Sequence, residues 1–280
     1  VTHCGCFGDF LPLKPWESFW KDVVLLVLIT LLFAGKKNIG PVFSPMIVST
    51  LFMLGIVFSF AFPIYTYRNL PIFDFRAYAP GLNIKDGMQP GPGYKPAVVG
   101  TLFKYENLKT GEMKEFNESN MPWEDTLTWK YVDRVGTYEK EPEQGTPAKI
   151  TDFNVTSLNG DNLTDSLLNE KKYSFWLIMH ELKSAEDDET LMAQINDFYK
   201  LATQEGYTFI ALTASGAKEI DDFKHLHNAL YDFATVDNIV LKTMIRSNPG
   251  LMLMKNGTVV ANWHHHNFPS FGDVKQKLMK

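Results

Sequence analysis

Ser247-Asn248-Pro249-Gly250-Leu251-Met252-Leu253-Met254-Lys255-Asn256-Gly257-Thr258-Val259-Val260 reads as a hairpin with a proline at its door. Leu251 to Lys255 and Thr258 to Trp263 are strand-length runs, and Asn256-Gly257 between them are residues that tolerate the positive φ of a tight turn. Outward from here, strands alternate with helices. Ile150 to Val155 reads as a strand followed by a turn at Asn159-Gly160, and Tyr173 to Met179 as a buried central strand. Asp187 to Glu205 sets Leu191, Ile195, Phe198 and Leu201 at helical spacing. Tyr207 to Thr213 is a further strand, Ala217 to Leu230 a further helix, and Ser270 to Lys280 a closing helix. Such β-α units followed by a hairpin and a helix predict a three-layer α/β domain over residues 149–280.

The front of the chain has a different chemistry. Asn38 to Tyr67 contains no Asp, Glu, Lys or Arg, and about 20 apolar residues suffice to cross a bilayer. A shorter apolar stretch, Val23 to Gly35, is preceded by Trp16, Phe19 and Trp20 and followed by Lys36-Lys37, the flanks of a membrane span. Transmembrane helices are therefore expected over about residues 17–35 and 42–65. The mean hydropathy of −0.13 hides this division by averaging a lipid-soluble front with a polar back. Lys36 and Lys37 mark the loop between the spans as cytoplasmic, although Lys14, Lys21 and Arg68 narrow the margin. Residues 68–280 and the N-terminal loop then lie outside the cytoplasm. Net charge is −5, and no basic cluster points to nucleic acid.

Residues 68–148 are rich in proline and glycine, with few helical signals. Val98 to Tyr105 and Glu112 to Phe116 flank Lys109-Thr110-Gly111 as a hairpin, with Thr126 to Val132 as a third strand. A small β-rich linker subdomain is expected, without site chemistry of its own. The domain plan is a membrane segment (1–67), this linker (68–148) and the α/β domain (149–280).

The order of elements, with Asn248-Pro249 opening the strand that leads to Lys255-Asn256-Gly257, resembles the thioredoxin fold in its membrane-tethered, TlpA-like branch. That resemblance implies a cis peptide at Pro249 and a binding groove around Pro249, Asn248 and His180. It also implies a Cys-x-x-Cys pair after the first central strand, where this chain has Met179-His180-Glu181-Leu182-Lys183-Ser184. The domain holds no cysteine and is expected to be catalytically inactive in dithiol exchange. His180 and Glu181, as neighbours, are expected to diverge and be solvated.

The only cysteines are Cys4 and Cys6, in His3-Cys4-Gly5-Cys6-Phe7-Gly8-Asp9. Cys-Gly-Cys-Phe-Gly before a transmembrane helix resembles the bacterial DoxX/MauE superfamily of four-helix membrane proteins. The layout is similar to a subgroup with a DoxX-type bundle, an extra span, a β-rich linker and a cysteine-free thioredoxin-like domain. By that resemblance the start at Val1 is truncated, further helices precede it, and the protein sits multi-pass in the inner membrane facing the periplasm. MauE is implicated in disulfide formation or maturation of a periplasmic partner. A glycine between two thiols permits a small strained disulfide ring, which exchanges readily. Cys4 and Cys6 are thus candidate catalytic thiols. A structural disulfide, or a metal site with His3, remains open for them.

His264-His265-His266 follows the last strand; strand alternation would point these rings apart, so no metal site is expected. No cofactor is read from the residues, and a quinone acceptor has no legible signature. Partners are membrane lipid and a periplasmic client or thiol redox partner. Two functions of different kind stand: a membrane thiol–disulfide oxidoreductase component, and a non-enzymatic scaffold with a structural Cys-Gly-Cys loop.

Overall fold

A computed structural model describes residues 13–37, 40, 43–95, 98–140, 145–185 and 188–279. It opens with α1 (Pro15–Gly35) and α2 (Pro45–Arg68), 21 and 24 residues long and apolar enough to cross a membrane. Both begin on proline, whose missing N–H is no loss in a first helical turn. Their apolar side chains stand exposed. The hydroxyls of Thr30, Thr50 and Ser59 donate to the carbonyls of Leu26, Met46 and Gly55, at 2.8, 2.9 and 2.8 Å. Those donors are satisfied inside the helix, as a hydrocarbon environment demands. Trp16, Phe19 and Trp20 cluster at the head of α1 with ring centroids 5.4–5.9 Å apart.

The chain divides into two compact units, one of residues 1–86 with 152–280, the other of Gly87–Thr151. The larger unit holds α3 (Ile84–Gly87, at its margin), β4 (Thr156–Ser157), α4 (Thr164–Leu168), β5 (Tyr173–Met179), α5 (Glu189–Gln204) and β6 (Thr208–Thr213). Then come α6 (Ala217–His227), β7 (Asp232–Thr235), α7 (Asn238–Met244), β8 (Gly250–Lys255), β9 (Thr258–His264) and α8 (Phe271–Leu278). The sheet order is β4-β7-β6-β5-β8-β9. β5, β6 and β7 run parallel, whereas β8 lies antiparallel to β5 and β9 antiparallel to β8. A βαβ unit (β5-α5-β6) and a ββα unit (β8-β9-α8) meeting at β5 and β8 make this a thioredoxin-like α/β fold.

Residues of β5 alternate between two buried faces. Phe175, Leu177 and Met179 join Phe198, Phe209, Phe223 and Phe271 in one core. Trp176 faces the other way and stacks on Phe153 at 6.0 Å. A strand covered on both sides must be apolar throughout, which is why Tyr173–Met179 reads as a continuous run. At the hairpin, Asn256 and Gly257 take φ of +48° and +74°.

Three sequence expectations are corrected here. Ile150 to Val155 is not a strand: Phe153 and Val155 are buried, yet only Thr156 and Ser157 pair, with Thr235 and Ala234 of β7. Val155 bonds instead to the Thr164 hydroxyl and the Leu163 N–H, both local partners. The helix from Ala217 ends at His227, with Asn228 at φ +50°, so that β7 and α7 fit into the sequence that follows. Finally, residues 69–86, placed by composition in the linker, belong to the α/β unit. Gly81 N–H donates to the Val259 carbonyl at 2.7 Å, Val259 N–H to Leu82 at 2.9 Å, and Ile84 N–H to Gly257 at 2.8 Å. This segment covers the free edge of β9.

The smaller unit is a three-stranded antiparallel sheet in the order β2-β1-β3, formed by β1 (Val98–Asn107), β2 (Met113–Asn117) and β3 (Trp129–Lys140). Tyr105 is buried among Phe116 and Tyr131, and Phe116 meets Trp129 edge-on at 5.0 Å.

Candidate functional site

Cys4 and Cys6, with His3 and Asp9, lie outside the described residues. The other candidates come together at one end of the sheet. The Asn248–Pro249 peptide is cis, at the mouth of β8, as the thioredoxin resemblance implied. Pro249 is buried, and Asn248 is half-buried over it. The Asn248 amide donates to the Glu181 carbonyl and the Ser184 hydroxyl, both at 2.7 Å. These bonds hold the segment that follows β5, in which Leu182 is buried and Lys183–Ala185 form a single 3-10 turn. Where a thiol pair would stand, the chain has an aliphatic plug and a closed polar clasp.

His180 departs from the expected solvated remnant. It is half-buried, and its Nδ1 is buried without a hydrogen-bond partner among the described residues. Burial, reinforced by the nearby Lys242 charge and only opposed by Glu181, lowers its pKa, so the ring is neutral. Glu181 is exposed, and the two neighbours do diverge in surroundings. No acid–base pair forms here.

Sequence reasoning missed the arrangement around Ser247. The strand β9 ends at His264, and the chain turns at once into a 3-10 turn, His265–Asn267. That turn abolishes the alternation that would have pointed the three rings apart. Instead the rings gather: centroids are 4.2 Å apart for His264 and His265, 4.0 Å for His265 and His266, and 5.0 Å for His264 and His266. One nitrogen from each lies within 4.8 Å of the other two. His264 is buried, His265 half-buried and His266 exposed. Burial and the two neighbouring rings lower the His264 pKa to about 4. The only sequence signal was the run itself, which local periodicity misreads because the turn follows it.

Ser247 ties this cluster to the proline loop. Its hydroxyl donates to the Pro249 carbonyl and accepts the His265 N–H at 2.9 Å, and it stands 3.0 Å from His265 Nδ1. The cluster also meets the end of α2. Asn267 donates to the Arg68 carbonyl at 3.2 Å and to Asn69 Oδ1 at 3.0 Å, and the Tyr67 and His266 rings lie 5.6 Å apart. Between them is a cavity of about 620 Å³ lined by Ala61, Ile64, Tyr65, Arg68, His266 and Asn267 among others.

Comparison with known proteins gives one family match over part of the chain and several distant structural likenesses. Residues 99–141, the three-stranded sheet, match a family described only as a domain of unknown function (DUF8463). No curated protein sequence matches the chain. Among solved structures, StoA from Bacillus subtilis is 11% identical with a TM-score of 0.35, over 44% of this chain and 93% of that one. A putative protein disulfide isomerase from Bacteroides thetaiotaomicron is 14% identical with a TM-score of 0.35, over 45% and 82%. A thiol-disulfide oxidoreductase from Bacteroides fragilis is 10% identical with a TM-score of 0.37, over 45% and 97%. The fold assignment rests on the strand order and directions of this chain itself, not on these distant likenesses.

Proposed function

We propose that this chain is a membrane-anchored thiol–disulfide accessory of DoxX/MauE type. In this reading Cys4 and Cys6 carry the redox chemistry and the thioredoxin-like unit docks a client. The observation that carries the division of labour is the clasp beside Pro249. The segment 180–185 holds no sulfur, its Leu182 is buried, and Asn248 fastens it to the proline loop. Without cysteine in residues 149–280 this domain cannot exchange a disulfide, and its part is to bind. Within this sequence the exchange falls to the Cys-Gly-Cys pair ahead of α1.

The anchoring rests on α1 and α2, with their exposed apolar faces, internally satisfied hydroxyls and aromatic cluster at one end. The pair and residues 68–280 face the periplasm, an oxidising compartment that suits a disulfide. A client thiolate attacks one sulfur of the Cys4–Cys6 disulfide and displaces the other as a thiolate. The client's second thiol then resolves the mixed disulfide. The client leaves oxidised, and its two electrons remain on the Cys4/Cys6 dithiol, to pass to a quinone or a partner disulfide.

Thiol trapping in intact cells tests this. With Cys4→Ser, Cys6 should accumulate in mixed disulfides with other proteins, and reductant should release them. If the pair instead resists mild reductant and both single serine variants behave as wild type, the chain is a non-enzymatic membrane scaffold with a structural Cys-Gly-Cys loop.

A further inference from the structure

We propose that His264, His265 and His266 form a binding site for a divalent borderline metal ion of the zinc class, with an open coordination position beside the end of α2. Two imidazole nitrogens bound tetrahedrally to one ion at the usual zinc–nitrogen distance stand about 3.3 Å apart. His264 Nδ1 and His266 Nδ1 are 3.2 Å apart. Two neutral imidazoles at that distance share at most one proton, and an ion in its place would use both lone pairs.

The third ring is oriented by its neighbour. The Ser247 hydroxyl has one hydrogen, and it donates that to the Pro249 carbonyl. The His265 Nδ1 at 3.0 Å is then the donor to the Ser247 oxygen, which leaves the His265 Nε2 lone pair free. A metal-binding histidine held through its other ring nitrogen is the common arrangement around such ions. The backbone N–H of His266 also contacts His264 Nδ1, at 3.2 Å, and this long bond would yield to the ion.

Chemistry selects the class. Three imidazoles suit zinc, copper and nickel rather than the oxygen-preferring magnesium and calcium. Three protein ligands leave one position for water or another ligand. His266 is exposed and lines the cavity against Tyr65, Arg68 and Asn267, so the open position is reachable. The proposal is independent of the redox reading. It stands whether or not Cys4 and Cys6 exchange.

The test is zinc titration by calorimetry on the full chain in detergent micelles, repeated with cobalt(II) for its ligand-field absorption. Wild type should bind one ion per chain with micromolar or tighter affinity. His265→Ala and His266→Ala should each weaken binding at least tenfold while keeping the metal-free circular dichroism spectrum of the folded chain. Binding should persist in the Cys4→Ser/Cys6→Ser variant. Loss of binding in that variant would move the ion to the N-terminal thiols and overturn the proposal. Equal zinc affinity in wild type and both histidine variants would overturn it as well.

Discussion

Asn248→Ala removes the amide that reaches both the Glu181 carbonyl and the Ser184 hydroxyl. Each such bond contributes roughly 0.5–1.5 kcal/mol net, so the expected loss is about 1–2 kcal/mol, read by urea unfolding. Amide exchange should report the same change locally, with residues 181–185 losing protection while β5 keeps it. Arg76 is a second residue whose effect is large for its size. It is 4% exposed, reaches Asp74 through Nε at 2.7 Å and through a second guanidinium nitrogen, and donates to the Thr243 carbonyl at 3.3 Å. Arg76→Ala strands a carboxylate in a largely buried place and should cost roughly 3–5 kcal/mol in thermal or denaturant unfolding. Replacing both partners by apolar residues should cost less, since neither charge is then left alone. The pair also sets an acid limb. Burial pushes the Asp74 carboxyl up, but Arg76's hydrogen bonds and charge, with help from Arg246, bring it below its ordinary 3.8. A lowered carboxylate stabilises the fold fully above its unfolded value, and that contribution disappears as pH falls through the lower folded value. Melting curves taken into acid should show this loss in wild type and a flatter limb in Arg76→Ala.

The elements around the hairpin depend on a few backbone positions. Gly257 has φ +74°, and a Cβ there would come 2.9 Å from Lys85 Cε and 3.1 Å from the Leu168 carbonyl oxygen. Gly257→Ala should therefore destabilise the unit by about 1–3 kcal/mol, with the β8–β9 amides losing protection first. α5 is held differently, through aromatic packing. Phe198 sits 4.9 Å from Phe175, 5.5 Å from Phe271 and 5.7 Å from Phe268, which joins β5, α8 and the segment after β9 to one side chain. Phe198→Ala should cost about 3–5 kcal/mol, and less if Phe268 can lean into the space. α8 adds a surface contact: Lys275 meets the Glu205 carboxylate at 2.6 Å just past α5. That exposed pair contributes little on the scale of the aromatic core.

Across the whole molecule, two apolar helices precede the α/β unit, and contacts from Arg68, Asn69 and Tyr67 to His266 and Asn267 tie the end of α2 to that unit. The full chain should stay with membranes through alkaline carbonate extraction. After reduction, a membrane-impermeant thiol reagent should label Cys4 and Cys6 from outside intact cells. Labelling only after permeabilisation would place the sulfurs in the cytosol and remove the shared compartment that the redox reading needs. Much of this plan was legible in the residues. Tyr173–Met179, the helix after it and the Asn256-Gly257 hairpin are local patterns with strong periodicity, and they sit where expected. Ile150 to Val155 was misread because an apolar run can be buried without pairing. The segment Gly81–Ile84 carried no signal, because its pairing with β9 depends on residues more than 170 positions away in sequence.

The sequence by itself determined which stretches suit hydrocarbon, the alternation of strand and helix from Tyr173 onward, and the absence of cysteine from residues 149–280. Those are matters of composition and short-range spacing, which each segment carries alone. Only the tertiary structure decided that Asn248 closes the loop after β5, that the edge of β9 is covered by Gly81–Ile84, and that three consecutive histidines converge. Each of these depends on where the backbone turns and what distant chain it meets, and residue order along a strand does not encode that.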